Sequence, residues 1–348
     1  MLGAVSEPMD KLSPEAASTL AKRHWHIEGS VSALPSYADQ NFRIRAAQGD
    51  YVLKVAHPDW SRPDIELENL AMMALAEREP LLGCPRVQLT DGGEHLLSLT
   101  WSGRPQWVRM LSYVPGDTYA EAIETLSQAH RPALHESLGR AVGRLTRGLR
   151  TFQHPAAERK HDWNLMRLPA LLDEVPHIHD DRLRDLVRSH ARMFCLSLGS
   201  WRAELPVTVL HNDANDLNVI VVDQPGIGKQ VGAVIDFGDM CTSFRLADLA
   251  IACTYAMQHE ADPVACAQRI VAGYLAEQPL RRAELERLHA FILARLCHSI
   301  LMATRTHRAQ PDNPFVMVSQ QGVQRLLRHL AAIEHNAIVR PFLEATHD

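Results

Sequence analysis

Apolar and polar positions alternate early in the chain and later give way to longer periods. Phe42-Arg43-Ile44-Arg45 and Tyr51-Val52-Leu53-Lys54-Val55 both alternate, and Gln48-Gly49-Asp50 separates them, which predicts a β-hairpin. A first strand is expected before it, near residues 25–31. After Pro63, residues 64–78 keep helical spacing with no Gly or Pro inside. Strand patterns return at residues 96–100 and 107–114, where Pro115-Gly116 ends the run. From about Tyr119 the pattern is mostly helical, interrupted by β-branched runs around Val209-Leu210 and Val234-Ile235, with Pro225-Gly226-Ile227-Gly228-Lys229 as a turn between strands. That turn lacks the spacing of a G-x-x-x-x-G-K-[ST] phosphate loop. The order implies an α+β protein of two lobes: a small β-rich lobe over residues 1–111, a hinge over 112–117, and a larger, mainly helical lobe over 118–348.

Length and charge narrow the function classes. A chain of 348 residues with 46% hydrophobic and 22% charged residues can bury a full core. Its net charge of -5 supplies no basic field, which argues against a nucleic-acid partner. Six cysteines without a C-x-x-C pair argue against a zinc ribbon or a disulfide framework and fit a reducing cytoplasm. The first twenty residues carry Glu7, Asp10, Lys11 and Glu15 rather than the apolar core of a secretory signal. The most apolar long stretches, residues 246–257 and 290–303, contain Asp248 and Arg295 with His298, and read as buried helices rather than membrane spans.

Two polar clusters carry the chemistry. His211-Asn212-Asp213-Ala214-Asn215-Asp216-Leu217-Asn218 follows one β-branched run, and Asp236-Phe237-Gly238-Asp239 follows another. Phosphoryl transfer from a nucleoside triphosphate needs a carboxylate beside the attacking hydroxyl and hard oxygen ligands for magnesium beside the phosphates. H-x-D with Asn five residues on, then D-F-G, supplies that set in order. No A-P-E follows and Asn212 stands in place of the Arg of H-R-D, so an activation loop for a protein substrate is not visible and a small acceptor is favoured.

Lys54 lies in an alternating strand, where an inward ammonium calls for phosphate or carboxylate. Glu66 and Glu68 on the following helix point about 200° apart, so only one can face it. Glu68 shares its face with Ile65, Ala71, Met72 and Leu75 and is the choice; Glu66 neighbours Arg62 and Asn69. In place of a G-x-G-x-x-G cover, Leu34-Pro35-Ser36-Tyr37-Ala38-Asp39-Gln40-Asn41 could cap a triphosphate with its amides and the Ser36 hydroxyl. The base would meet backbone groups from Ser112 to Val114.

These pieces, together with Asp162-Trp163-Asn164-Leu165 and Ile235-Asp236-Phe237-Gly238-Asp239-Met240, resemble the aminoglycoside and choline phosphotransferase family, and within it most nearly the hydroxylysine kinase branch. Asn212 departs from the Gly common in the wider family. The resemblance covers roughly residues 30 to 300 and implies a two-lobed protein-kinase-like fold. It also implies Asp213 as catalytic base or hydroxyl-orienting carboxylate, Asn218 and Asp236 as Mg2+ ligands, and Lys54 with Glu68 on the phosphates of ATP or GTP. His211 then braces the loop, and Asp248 is structural. A homodimer is compatible with it. The acceptor it points to is 5-hydroxylysine, with an aminoglycoside, choline or homoserine as alternatives. Arg245, with Asp162 and Asp239, would meet the two ends of a zwitterion. An inactive nucleotide-binding pseudokinase would lack one of Lys54, Asp213, Asn218 or Asp236, and none is missing.

Overall fold

Ser13 starts the first helix: its hydroxyl accepts the Ala16 N–H and Pro14 fixes the first backbone angle, so α1 (Pro14–Trp25) forms and buries Ala17, Ala21 and Trp25. The expectation of a strand from residue 25 is thereby corrected. His26 caps the helix in the left-handed region at φ 52°, and β1 (Gly29–Leu34) begins three residues later. This computed structural model describes residues 11–36, 39–101, 104–310 and 320–345. By its contacts the chain forms two compact units, one running to Pro115 and taking in Phe152–Ala157, the other made of Gly116–Thr151 and the chain from Glu158 onward.

In the first unit β1 pairs antiparallel with β2 (Gln40–Ala46), which turns tightly into β3 (Gly49–Val55), with Ala46 opposite Gly49. Next comes α2 (Arg62–Arg78), opened by a capping box in which Ser61 and Asp64 satisfy each other's N–H groups. It buries Ile65, Leu67, Glu68, Asn69, Ala71, Met72 and Leu75. β4 (Val87–Gln88), β5 (Leu97–Trp101) and β6 (Arg104–Ser112) complete a sheet ordered β1-β2-β3-β6-β4, with β5 also on β6. Phe42, Ile44, Leu53, Val108 and Met110 form its core with Trp25. β6 ends at Ser112 rather than at Val114, although the Tyr113 N–H still donates to the Asp50 carbonyl across from it.

The second unit opens with β7 (Asp117–Thr118), α3 (Tyr119–Thr125) and α4 (Arg131–Leu149). Leu165–His177 then winds in short 3-10 turns that accommodate Pro169 and Pro176. After α5 (Asp181–Glu204) come the strands that hold both motifs: β8 (Val207–Leu210), β9 (Val219–Gln224), β10 (Gly228–Val234) and β11 (Cys241–Phe244). β9 pairs with β10 and β8 with β11, so each motif loop is flanked by strands that pair with those of the other. The short β7 and β11 have no pattern that sets them apart from the surrounding loops. The helices α6 (Leu246–Ala256), α7 (Pro263–Glu277), α8 (Arg282–Ala309), α9 (Gln320–Ala331) and α10 (His335–Glu344) follow.

α4 and α7 meet backbone to backbone. A Cβ on Gly139 would lie 1.9 Å from the Ile270 carbonyl oxygen, and one on Gly273 would lie 2.0 Å from that of Glu136. The two stretches expected to be buried helices, residues 246–257 and 290–303, lie largely in α6 and α8 and are mostly buried. Among the described residues no helix is long and apolar enough to cross a membrane. All six cysteines are free thiols.

Candidate active site

The bend after β8 depends on one residue. Asn212 takes a left-handed backbone at φ 66°, a region Asn tolerates better than most side chains. The turn aims the N–H groups of His211 and Asn212 at one carboxylate, Asp248 in the first turn of α6, at 3.2 and 2.7 Å. Asp248 is fully buried, and burial pushes its carboxyl up to about 6 despite those two bonds. The ring of His211 ties the loop to the second motif. Its Nε2 lies 3.1 Å from the Ile235 carbonyl oxygen, its Nδ1 accepts the Asp213 N–H, and its edge packs against Phe237. Burial lowers its pKa to about 4, so the ring is neutral, with Nε2 as the donor that this network assigns.

The two motifs are 18 residues apart in sequence between Asn218 and Asp236, yet β9–β10 pairing closes the gap. Val219 faces Val234, which sets Asn218 opposite Ile235, and the Ile235 N–H donates to the Asn218 carbonyl at 2.9 Å. Asp236 follows at once in a left-handed conformation, φ 62°, with its side chain exposed. Asn215 folds the approach to Asn218 by accepting the N–H groups of Leu217 and Asn218. Asn218 in turn points Nδ2 at Asp213, 2.8 Å from Oδ2 and 3.0 Å from the backbone oxygen.

A residue outside every motif completes the group. Arg295 of α8, 1% exposed, reaches Asp213 Oδ1 at 3.1 Å. Burial and the charges of Asp239 and Asp236 push the Asp213 carboxyl well above the usual range, and Arg295 pulls against them. Burial also works to raise Asp239, but its hydrogen bond to His161, 3.3 Å away, and the charges of His161, Arg295 and Arg159 hold it below the usual range. Arg159 fastens the same turn from behind, donating to the carbonyls of Gly238 and Met240. The Asp236 carboxylate and the Asn218 amide oxygen are hard oxygen donors, the chemistry that suits magnesium.

Residues 30–291 match the model of the APH phosphotransferase enzyme family. The chain belongs to that family. Hydroxylysine kinase from Mus musculus is 28% identical over 339 residues, covering 90% of this chain and 88% of its own length. Hydroxylysine kinase from Danio rerio is 28% identical over 342 residues, covering 93% of each. Among solved structures, amicoumacin kinase hAmiN in complex with AMP-PNP and Ca2+ superposes with a TM-score of 0.70 at 14% identity, covering 94% of this chain and 97% of the other. A choline/ethanolamine kinase family protein from Mesorhizobium loti gives 0.56 at 16%, covering 92% and 93%. The fold is thus kinase-like, and the chain is a phosphotransferase that uses a nucleotide and a small hydroxylated acceptor.

The first unit of this phosphotransferase holds the other candidates. Lys54 on β3 stands opposite Arg109 on β6, so both side chains leave the same face of the sheet. Two like charges side by side need counter-charges, and two carboxylates supply them. Asp39 Oδ2 lies 3.9 Å from the Lys54 ammonium, and Glu68 is ion-paired with Arg109, which also donates to Asn69. Glu68 therefore faces inward, while Glu66 is bonded to Arg62 on the outer side. Arg109 and Asp39 were not singled out by sequence, although the register of an alternating strand pair could have put Arg109 beside Lys54.

Three other expectations change. Arg245 is spent on Glu284, a fully buried carboxylate that it grips at 2.7 Å on both oxygens, so it is not available to an acceptor. Ser112 is occupied by Arg86, whose N–H its hydroxyl also accepts, whereas no hydrogen bond to the Val114 backbone is found among the described residues. Asp162 is held by Arg305 at 2.7 Å; burial, the largest single cause, raises its carboxyl, but the hydrogen bond and charge of Arg305 with the charge of Arg167 together bring it below the usual range. Ser36 is exposed just beyond β1, and its neighbours Tyr37 and Ala38 lie outside the described residues.

Proposed function

We propose that the protein transfers the γ-phosphoryl group of ATP or GTP to the hydroxyl of a small amino alcohol or hydroxy amino acid, with 5-hydroxylysine as the leading acceptor. The observation that carries this is Asp213, a carboxylate held on both oxygens at the end of a braced loop, with Asn218 and Asp236 brought together beside it by strand register. Asp213 orients the acceptor hydroxyl and takes its proton as the bond to phosphorus forms. Asn218 uses its Nδ2 twice on Asp213, so its Oδ1 is the atom that would hold a metal together with Asp236. Bound there, Mg2+ would neutralise charge on the β- and γ-phosphate oxygens. In the first unit Lys54, backed by Asp39 and beside the Glu68–Arg109 pair, would serve the phosphates together with the Ser36 hydroxyl, and the Val114 backbone the base.

The identity of the relatives supports hydroxylysine, and the electrostatics support its ammonium end, because Asp239 keeps its charge at the site. A second reading, homoserine as acceptor, is favoured by one relative, a homoserine kinase of Methylobacterium nodulans that is 27% identical over 71% of this chain. One panel separates them. 5-Hydroxylysine, homoserine, choline, kanamycin and lysine are each incubated with ATP or GTP and Mg2+, and nucleoside diphosphate release is measured above the acceptor-free background. Hydroxylysine is expected to give the largest kcat/KM and lysine none above background. Turnover with kanamycin and none with hydroxylysine would overturn the acceptor while leaving the phosphotransferase standing.

A further inference from the structure

Arg295 is a full positive charge in the interior of the second unit, and removing such a group from water costs several kcal/mol unless its surroundings answer it. Half-buried Arg245 and buried Arg109 are each answered at close range. Arg245 grips both oxygens of Glu284 at 2.7 Å, and Arg109 divides its fork between Glu68 and Asn69. Arg295 is treated differently. Its bonds are longer, 3.1 Å to Asp213, 3.4 Å to the Tyr255 hydroxyl and 3.5 Å to the Trp163 carbonyl, and its Nε has no partner among the described residues. The firmest of these attachments is to Asp213.

What the site fixes well is the plane of the guanidinium. The Trp163 ring lies 4.7 Å from its central carbon and the Tyr255 ring 5.5 Å, and Trp163 is itself stacked on His298 one turn along α8. A planar fork locked between two rings can set the orientation of whatever it holds. Each carboxylate oxygen has two lone pairs. Asn218 takes one on Oδ2 and Arg295 one on Oδ1, with the Asn215 side chain as a further hydrogen-bond partner of the carboxylate, which together stop rotation about the Cβ–Cγ bond.

We propose that Arg295 is a positioning residue for phosphoryl transfer: clamped by Trp163 and Tyr255, it holds Asp213 Oδ1 so that the carboxylate meets the acceptor hydroxyl in a single orientation. The inference rests on the reading of Asp213 given above. Misplacing a reacting group by about an ångström costs roughly 10²-fold. Arg295→Ala is therefore expected to lose about 10²-fold in kcat on 5-hydroxylysine, with the KM for nucleotide within about twofold of the parent. Methylguanidinium, a planar fork that fits the space left behind, should restore about tenfold or more of that loss, and methylammonium should not. Arg295→Lys keeps the buried charge without the fork and should still lose about tenfold, so it decides the matter if the alanine variant does not fold.

Near-parental kcat in either folded variant would overturn the proposal. So would a loss that tracks a lowered Tm and is not reversed by methylguanidinium, because that is the signature of a merely structural arginine. Asp213→Ala, run beside them, separates the two levels: if it turns over normally the reading of Asp213 fails, and if it is inactive while the Arg295 variants are normal only this inference fails.

Discussion

Asp213 owes its place to groups that are themselves immobile: an amide from Asn218, a guanidinium from α8 and a ring, His211, pinned to the strand end beyond it. Removing the carboxylate should leave that frame standing. Asp213→Ala is expected to lower kcat by roughly 10²–10⁴ while its thermal melt and its nucleotide binding stay near the parent's, read by steady-state kinetics and equilibrium titration. Asp236→Asn keeps the shape but removes the negative charge that side chain offers a cation, so the Mg2+ concentration for half-maximal turnover should rise steeply; an unchanged titration would place the metal elsewhere. At this scale the sequence was readable where a polar cluster interrupts a β-branched run, which is how Asp213, Asn218 and Asp236 stand out. Arg295 could not be read that way. It lies 82 residues beyond Asp213 in an apolar helix, and its only mark is a charge where the pattern calls for none. Arg245 failed for the opposite reason, since nothing in sequence announces that Glu284 is buried against it.

Elements are held to one another by contacts that sequence periodicity does not express. Asp248 joins α6 to the bend after β8, and Asp248→Ala would leave two buried N–H groups without an acceptor, at a cost of about 1–3 kcal/mol each. Chemical denaturation should show that loss, with turnover falling alongside it. The α4–α7 contact makes a second test. Gly139→Ala and Gly273→Ala both push a methyl group into a carbonyl of the other helix, and each should cost about 1–3 kcal/mol or more, seen as a lowered denaturation midpoint. The hairpin from β2 to β3 and the core of α2 were legible because their periods are undisturbed. α1 was passed over although Ser13-Pro14-Glu15 is a helix start, because the aromatic residue at its end resembles the beginning of a strand. The small strands β7 and β11 are too short to leave any period at all.

Across the whole molecule, three buried histidines outside the catalytic loop set the acid limit. Burial, the largest cause in each, lowers His135 and His289 from 6.5 to about 4 and His298 to about 3. The unfolded chain takes up these protons near pH 6.5 and the folded one does not until far lower, so the stabilising contribution is complete above pH 6.5 and is lost as pH falls toward 4. Denaturant midpoints should drop between pH 7 and pH 5 by an amount worth a few kcal/mol, on the order of 1.4 kcal/mol per histidine per pH unit. Exchange of His135 for a neutral side chain of similar shape should flatten that slope. The two-unit division was foreseeable from the change of period after residue 119, but the return of Phe152–Ala157 to the first unit was not, since contacts across such a distance leave no local trace.

The glycine-lined contact between α4 and α7 has a consequence for the chain as it is made. α4 ends at Leu149 and α7 begins at Pro263, so the 113 residues between them, 150–262, must be added before the partner of Gly139 even starts to appear. At roughly 5–20 residues per second, that delay is on the order of ten seconds. Throughout it, the face of α4 that carries Gly139 and Gly143 waits on the ribosome without its mate.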